Sequence, residues 1–154
     1  LKNSTHHNIR PVEPTDLDEL LIMMQEHADF ERAAFSPDGK KDKLHVALFS
    51  QPQRLNCWVV TINEKLVGFV SYTFDYSTWD AAEFMYMDCL FLREQTRGKG
   101  IGSEIIKRLT AVAAERNCIN IQWQTPTFNT PAIDFYIKNK AVAADKVRFT
   151  LKVG

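Results

Sequence analysis

Apolar positions recur with two different periods along this chain, and the changes of period divide it into elements. Leu17, Leu20, Leu21, Met24 and Ala28 fall on one face of a helix running to about Glu31, as helical spacing requires. Before it, Ile9 to Val12 reads as a short strand stopped by Pro11 and Pro14. Thr15 reads as the helix N-cap, with Asp16 and Asp18 in the first turn, where the helix dipole favours acids. Ser36-Pro37-Asp38-Gly39 breaks the chain, and Lys41 to Phe49 reads as a second helix. The period then drops to two. Cys57 to Ile62 and Leu66 to Tyr76 are β-rich runs on either side of Asn63-Glu64-Lys65, which predicts a hairpin. After a turn at Ser77 to Asp80, Phe84 to Leu92 is an almost unbroken apolar strand, as expected where both sheet faces are covered.

From Gly100 the helical period returns. Ile101, Ile105, Leu109, Val112 and Ala113 form a stripe, with Lys107, Arg108, Glu115 and Arg116 facing away. Asn117 ends this helix, Ile119 to Trp123 reads as a strand, and Asn129-Thr130-Pro131 opens a last helix, whose first turn tolerates Pro131. Val147 to Val153 alternates with period two and is expected to close the chain as a strand. The predicted order is β-α-α-β-β-β-α-β-α-β: an α/β (mixed α+β) fold around a central, mostly antiparallel sheet flanked by helices.

The 154 residues suit one domain, read as 9–154, behind a disordered or vector-derived N-terminal segment at 1–8 that includes His6 and His7. Nineteen Lys and Arg balance nineteen Asp and Glu, which argues against a broadly basic nucleic-acid binder. No apolar run approaches the roughly 20 residues a membrane span needs, so no membrane partner is expected. Three cysteines without CxxC or Cys/His spacing argue against a disulfide scaffold and a metal site, and suit reduced thiols in the cytoplasm. Cys89 and Cys118 read as buried and unsuited to nucleophilic catalysis. His27 and His45 read as solvated helix residues without a role.

Charge is not spread evenly. From Pro11 to Glu31 there are seven acids and no Lys or Arg, and from Leu66 to Leu92 four acids and again no Lys or Arg. Arg97 to Arg108 carries four cations against Glu104, a local 4 − 1 = +3. The segregation suits an anionic partner at one place and a cationic one at another.

The basic stretch begins with Arg97-Gly98-Lys99-Gly100-Ile101-Gly102, set between the apolar strand and an amphipathic helix. Alternate glycines let backbone approach a ligand at positive φ, and the N–H groups of a helix start make an anion site suited to phosphate. A Walker loop would need Gly-Lys-Ser/Thr after four spacer residues, and a Rossmann fingerprint would need Gly at Ile105. Neither is present. A plain flexible glycine turn stays open on this hexapeptide alone.

RGKGIG nevertheless resembles the acetyl-CoA signature of the GNAT superfamily of N-acetyltransferases. The similarity runs from IRPVEPTDLDEL to FYIKNK and the final strand. GFVSYTFDYSTW, RGKGIGSEIIKRL and FNTPAIDFY are most similar to spermidine/spermine (diamine) acetyltransferases. The resemblance implies a sheet splayed at the acetyl-CoA site, with the amine entering from the opposite side. Arg97, Gly98, Lys99, Gly100, Ile101, Gly102 and Ser103 would hold the CoA pyrophosphate, and Leu90, Phe91 and Leu92 would pair with the pantetheine arm. Asn129 would lie beside that arm; it also reads as a helix N-cap. Tyr136 would contact the cofactor and act as general acid to the departing thiolate; a packed helix-end tyrosine is the plainer reading.

Asp88 stands where the diamine enzymes carry Glu. It would take the proton of an ammonium whose pKa is about 10, directly or through a water; a strand-end acid bonded to a turn is the alternative. Glu31 and Trp79 would join Asp88 in binding the amine. Cys89 replaces a second acid of the polyamine enzymes. The reaction implied is acetyl transfer from acetyl-CoA to a primary amine of a small cationic substrate, polyamine- or diamine-like, by direct attack through a tetrahedral intermediate, in a homodimer. Another acceptor (aminoglycoside, amino acid, peptide N-terminus or lysine) and a weakly catalytic CoA-binding regulatory module remain as alternatives.

Overall fold

The computed structural model describes residues 6–154, which form two compact units, one ending at Gln124 and the other Thr125–Gly154. The first holds β1 (His7–Pro11), α1 (Leu17–Phe30), α2 (Lys40–Phe49), β2 (Asn56–Ile62), β3 (Lys65–Ser77), β4 (Ala82–Leu92), α3 (Ile101–Glu115) and β5 (Ile121–Gln122). The second holds α4 (Thr130–Lys138). The strands make a five-stranded open sheet in the order β1-β2-β3-β4-β5, antiparallel except where β5 runs parallel to β4. This is the mixed α/β fold expected from the alternation of periods.

Each sheet face is closed by helices carrying the expected stripes. Cys57, Val59, Phe69 and Phe91 pack in one core with Leu17, Leu20 and Met23 of α1 and Leu48 of α2. Ile101, Ile105 and Leu109 of α3 are fully buried, and α3 is tied to β1 by a His7–Glu104 hydrogen bond and by Arg108 donating to the Ile9 carbonyl at 3.4 Å. The β2–β3 hairpin turns at Asn63 and Glu64, both left-handed (φ 51 and 64). A two-residue loop needs that backbone to match the strand twist. Gly68 is required by close approach: a Cβ there would sit 2.6 Å from the Phe91 carbonyl oxygen and 2.5 Å from Leu92 Cδ2. The missing side chain lets β3 and β4 close up at the end that leads into the glycine loop.

Several expectations need correction. The first strand starts at His7, not Ile9, with His7 opposite Ile62; the rest of the expectation for 1–8 lies largely outside the described residues. Thr15 does not cap α1. A 3-10 turn at Pro14–Asp16 precedes the helix, and the buried Asp16 accepts from the Glu13 N–H at 2.8 Å and from both Arg10 terminal nitrogens at 2.7 and 3.0 Å. The Arg10 guanidinium holds the Asp16 carboxyl below the usual carboxylate range. The penultimate strand shrinks to Ile121–Gln122. The closing strand is not formed: residues 141–154 carry no regular structure, and Val147, Phe149, Leu151 and Val153 are 77 to 93% exposed. Alternation supplies an amphipathic strand, but a ladder also needs a partner edge.

Candidate active site

β4 carries the geometry on which the candidate site depends. Tyr72 of β3 pairs with Met87 and its neighbour Ser71 with Cys89, so Asp88 is an extra residue in the ladder. Such a β-bulge re-aims side chains and is common beside active sites. It also switches the face of the strand. Paired residues of an antiparallel ladder share a face, so Met87 lies on the side of Tyr72, while Cys89 and Phe91 lie on the side of Ser71 and Phe69, under α1. Asp88 itself is exposed, and the Cys89 thiol sits 3.7 Å from its Oδ2. Burial, reinforced by the Asp88 charge, pushes the Cys89 thiol up to about 12. It stays protonated at neutral pH and is no nucleophile. Cys89 and Cys118, both expected to be buried, are half-buried.

The other edge of β4 is paired for only two residues, Met85 with Ile121 and Tyr86 with Gln122. Beyond Met87, the segment containing Leu90, Phe91 and Leu92 has no strand on that side among the described residues. It leads into a 3-10 turn at Glu94–Thr96, pinned by the buried Thr96 hydroxyl donating to the Arg93 carbonyl at 2.7 Å. Gly98 and Gly100 then take φ of 74 and 79, with nothing within 4 Å of the Cβ that either lacks. Gly102 differs from the sequence expectation: it lies buried in the first turn of α3 and uses no positive φ. The first helical bond is donated by the Glu104 N–H to the Gly100 carbonyl, so the N–H groups of Ile101, Gly102 and Ser103 precede it at the positive end of the helix. Arg97 turns back: its Nε donates to the Leu92 carbonyl at 2.8 Å and its guanidinium lies 5.2 Å from the Phe30 ring centre. Lys99 is exposed.

Glu31 terminates α1, half-buried, with its N–H bonded to the His27 carbonyl and its Oε1 3.3 Å from His27 Nε2. The ring of His27 lies 5.5 Å from Phe91 and 6.3 Å from Phe69, edge to face. It is not the solvated helix residue expected. Burial in this aromatic slot pulls its pKa below the ordinary imidazole value, against the opposing pull of Glu31 and Asp88. Leu20, Met23 and His27 share one stripe of α1, and His27–Glu31 is an i,i+4 pair, which accounts for the ring facing the sheet.

Trp79 lies elsewhere. It is 96% exposed in the β3–β4 turn, where the Ser77 hydroxyl donates to Asp80 at 3.0 Å. Ala82, which starts β4, is six residues before Asp88, about 20 Å along an extended strand. The structure does not bring Trp79 to the bulge.

In the second unit, Asn129 is buried and caps α4: its Oδ1 accepts from the Ala132 N–H at 3.3 Å. Tyr136 is half-buried in α4, its ring 5.4 Å from that of Phe135.

The acidic segments are less negative in space than in sequence. Arg10 covers Asp16, Lys41 covers Asp18, Arg93 binds both Glu19 and Glu26, and Arg116 binds Glu83. Each cation comes from outside the two lysine- and arginine-free stretches. Among the described residues Glu13, Asp29, Glu31, Asp75, Asp80 and Asp88 have no Lys or Arg ion pair; of these, Glu31 and Asp88 act electrostatically on His27.

An open strand edge running into a positive-φ loop and a helix N-terminus suits a ligand with an amide arm and a phosphate group. The profile of the acetyltransferase (GNAT) family matches residues 20–139, and the chain belongs to that family. It is 28% identical over 136 residues to thialysine N-epsilon-acetyltransferase of Sus scrofa, covering 83% of this chain and 79% of the relative. It is 25% identical over 141 residues to a spermidine/spermine N(1)-acetyltransferase-like protein of Homo sapiens, covering 87% of this chain but 20% of that protein. The fold superposes on an aminoglycoside N-acetyltransferase in complex with CoA with TM-score 0.80 and 16% identity, over 99% of this chain and 98% of the other. The protein is an acyltransferase of the N-acetyltransferase class, and acetyl-CoA is its co-substrate. The residues present fit that group: the space above Gly98 and Gly100 is open, and the β4 edge from Leu90 has no strand beside it.

Proposed function

We propose that the chain acetylates a primary amine of a small cationic substrate, of the diamine or aminoalkyl class. The observation that carries this reading is the bulge: it leaves Asp88 exposed, with no Lys or Arg ion pair among the described residues, on a strand whose open edge suits the pantetheine arm, and Asp88 and Glu31 both act electrostatically on His27. A carboxylate there attracts an ammonium and can accept its proton. The freed nitrogen pair attacks the thioester carbonyl; the C–N bond forms, the C–S bond breaks, the nitrogen sheds a second proton to solvent to leave a neutral amide, and the thiolate takes a proton.

In this reading the N–H groups of Ile101 to Ser103, with Gly98, Lys99 and Gly100, hold the pyrophosphate, and Leu90 and Phe91 hold the amide arm. Leu92 and Arg97 contribute less directly, because Arg97 already occupies the Leu92 carbonyl. Tyr136 is assigned the proton donated to the thiolate, and Asn129 the side of the arm, from their places in FNTPAIDFY. Trp79 has no part in this site. Residues 9–154 act as one catalytic domain. A homodimer is proposed because a second copy would bury the exposed apolar row Val147, Phe149, Leu151 and Val153. The free thiols Cys57, Cys89 and Cys118 suit a reducing, cytoplasmic setting.

The test is thiol release from acetyl-CoA against a panel of polyamines, shorter diamines, thialysine, aminoglycosides, amino acids and peptides. Short cationic amines are expected to have the highest kcat/KM. Exclusive turnover of a peptide would overturn the substrate class, and CoA binding without turnover of any amine would favour a regulatory module.

A further inference from the structure

Arg93 stands between the end of β4 and the 3-10 turn that leads into the glycine loop. Its backbone holds both neighbours. The N–H donates to the Val67 carbonyl at 2.8 Å, and the carbonyl accepts the Thr96 N–H at 2.9 Å and the Thr96 hydroxyl at 2.7 Å. Its side chain reaches across to α1. Nε donates to Glu26 Oε2 at 2.9 Å, and Nη2 donates to Glu26 Oε1 at 3.2 Å and to Glu19 Oε1 at 2.7 Å. Nη1 donates to the Leu66 carbonyl, at the start of β3, at 2.8 Å. The Arg93 side chain is 20% exposed and those of Glu19 and Glu26 are 41% exposed. A planar guanidinium can meet these four oxygens at once, whereas a lysine ammonium is a point charge without that fork.

Glu19 and Glu26 are two turns of α1 apart, so they lie on one stripe, which continues four residues further to Phe30. Phe30 is the ring that the Arg97 guanidinium approaches at 5.2 Å, while Arg97 Nε closes back on the Leu92 carbonyl at 2.8 Å. The turn from Arg93 to Arg97 is therefore fastened to α1 at both ends, and Gly98 follows directly. The helix does not need these contacts to pack, because Leu17, Leu20 and Met23 already bury it against the sheet. What the contacts fix is the chain that follows β4.

We propose that Arg93 is a positioning residue for the cofactor: it fastens the glycine loop to the Glu19–Glu26 stripe of α1 and so presets the backbone that receives the coenzyme A pyrophosphate, which rests on the reading of that loop as the phosphate site. A loop free to swing would have to be ordered at the moment of binding, and affinity would fall accordingly. Shape and charge attraction predict opposite signs here. Removing Glu19 and Glu26 takes two negative charges from the neighbourhood of an anion site, which by Coulomb's law alone strengthens coenzyme A binding. The same change unfastens Arg93, which weakens it.

Two measurements on Glu19→Ala/Glu26→Ala, made in the full chain, test this. Both side chains are half-exposed and alanine is the best helix former, so circular dichroism is expected to show a folded protein. Calorimetric titration is expected to find coenzyme A bound about fivefold or more weakly than by the wild-type chain; equal or tighter binding would overturn the proposal. Ion pairs that served stability alone would lower the melting temperature and leave the affinity of the folded molecules unchanged. The second measurement is hydrogen exchange in the ligand-free chain. The Thr96 and Arg97 N–H groups are bonded to the Arg93 and Glu94 carbonyls. Both are expected to exchange faster in the variant, while amides in the middle of α3 keep their wild-type rates; unchanged exchange at Thr96 and Arg97 would overturn the clamp. If the wild-type chain binds no coenzyme A, the reading of the loop fails, while the exchange comparison still decides whether Arg93 and α1 hold the turn.

Discussion

Asp88→Asn is expected to lower kcat/KM for the amine by about 10²- to 10³-fold at neutral pH, the usual range for loss of a positioned base, while coenzyme A affinity stays within about twofold. The asymmetry follows from the ladder. Asp88 is the bulged residue, exposed, and its carboxylate forms no part of the β3–β4 pairing, so asparagine fits without disturbing Tyr72–Met87 or Ser71–Cys89. What disappears is the acceptor for the ammonium proton and one of two negative charges, the other being Glu31. The loss is expected to shrink as pH rises toward the amine pKa of about 10, because solvent then supplies free amine without help. Steady-state kinetics across pH, with calorimetric titration of coenzyme A, measure both halves. An equal loss at every pH would assign Asp88 a role in shape and not in proton transfer.

Gly100→Val is expected to weaken coenzyme A binding by about tenfold or more. Nothing lies within 4 Å of the missing Cβ, so the cost is not a clash. It is the backbone: at φ 79 an L-residue pays roughly 1–2 kcal/mol, and a β-branched one more. The loop relieves that strain by leaving its present conformation, which carries the Gly98, Lys99 and Gly100 backbone out of line with the helix N-terminus that follows it. The helix behind it stays anchored by the buried Ile101 and Ile105, so circular dichroism is expected to show a folded protein. Calorimetry that finds wild-type affinity would separate the glycine loop from cofactor binding.

Most of the sheet and helices was legible because each announces itself locally. The hairpin around Asn63-Glu64, the stripe Ile101-Ile105-Leu109 and the glycine loop need only neighbours in sequence. The parts that were hidden depend on distant partners. The bulge at Asp88 is a mismatch between two strands, and an apolar run such as Met85 to Leu92 offers no parity from which to read it. The acidic segments looked unopposed because Arg10, Lys41, Arg93 and Arg116 come from elsewhere in the chain. Those pairs take up Asp16, Asp18, Glu19, Glu26 and Glu83, so fewer acids than the sequence suggests are left without a cation, Glu31 and Asp88 among them. The alternation at Val147 to Val153 marks an amphipathic segment correctly but carries no information about which edge receives it. The polar character of His27 points to solvent, whereas its place on the Leu20–Met23 stripe turns it toward Phe69 and Phe91.

The most direct test of the account is to incubate the chain with acetyl-CoA in the absence and presence of a short diamine, following free thiol and the masses of both protein and amine. Without amine, no thiol release and no acetylated protein are expected. With amine, one acetylated amine is expected for each thiol released. Stoichiometric thiol release before amine is added, with acetyl retained on the protein, would contradict direct transfer, and no turnover of any primary amine by a chain that binds coenzyme A would contradict the acetyltransferase reading of this site.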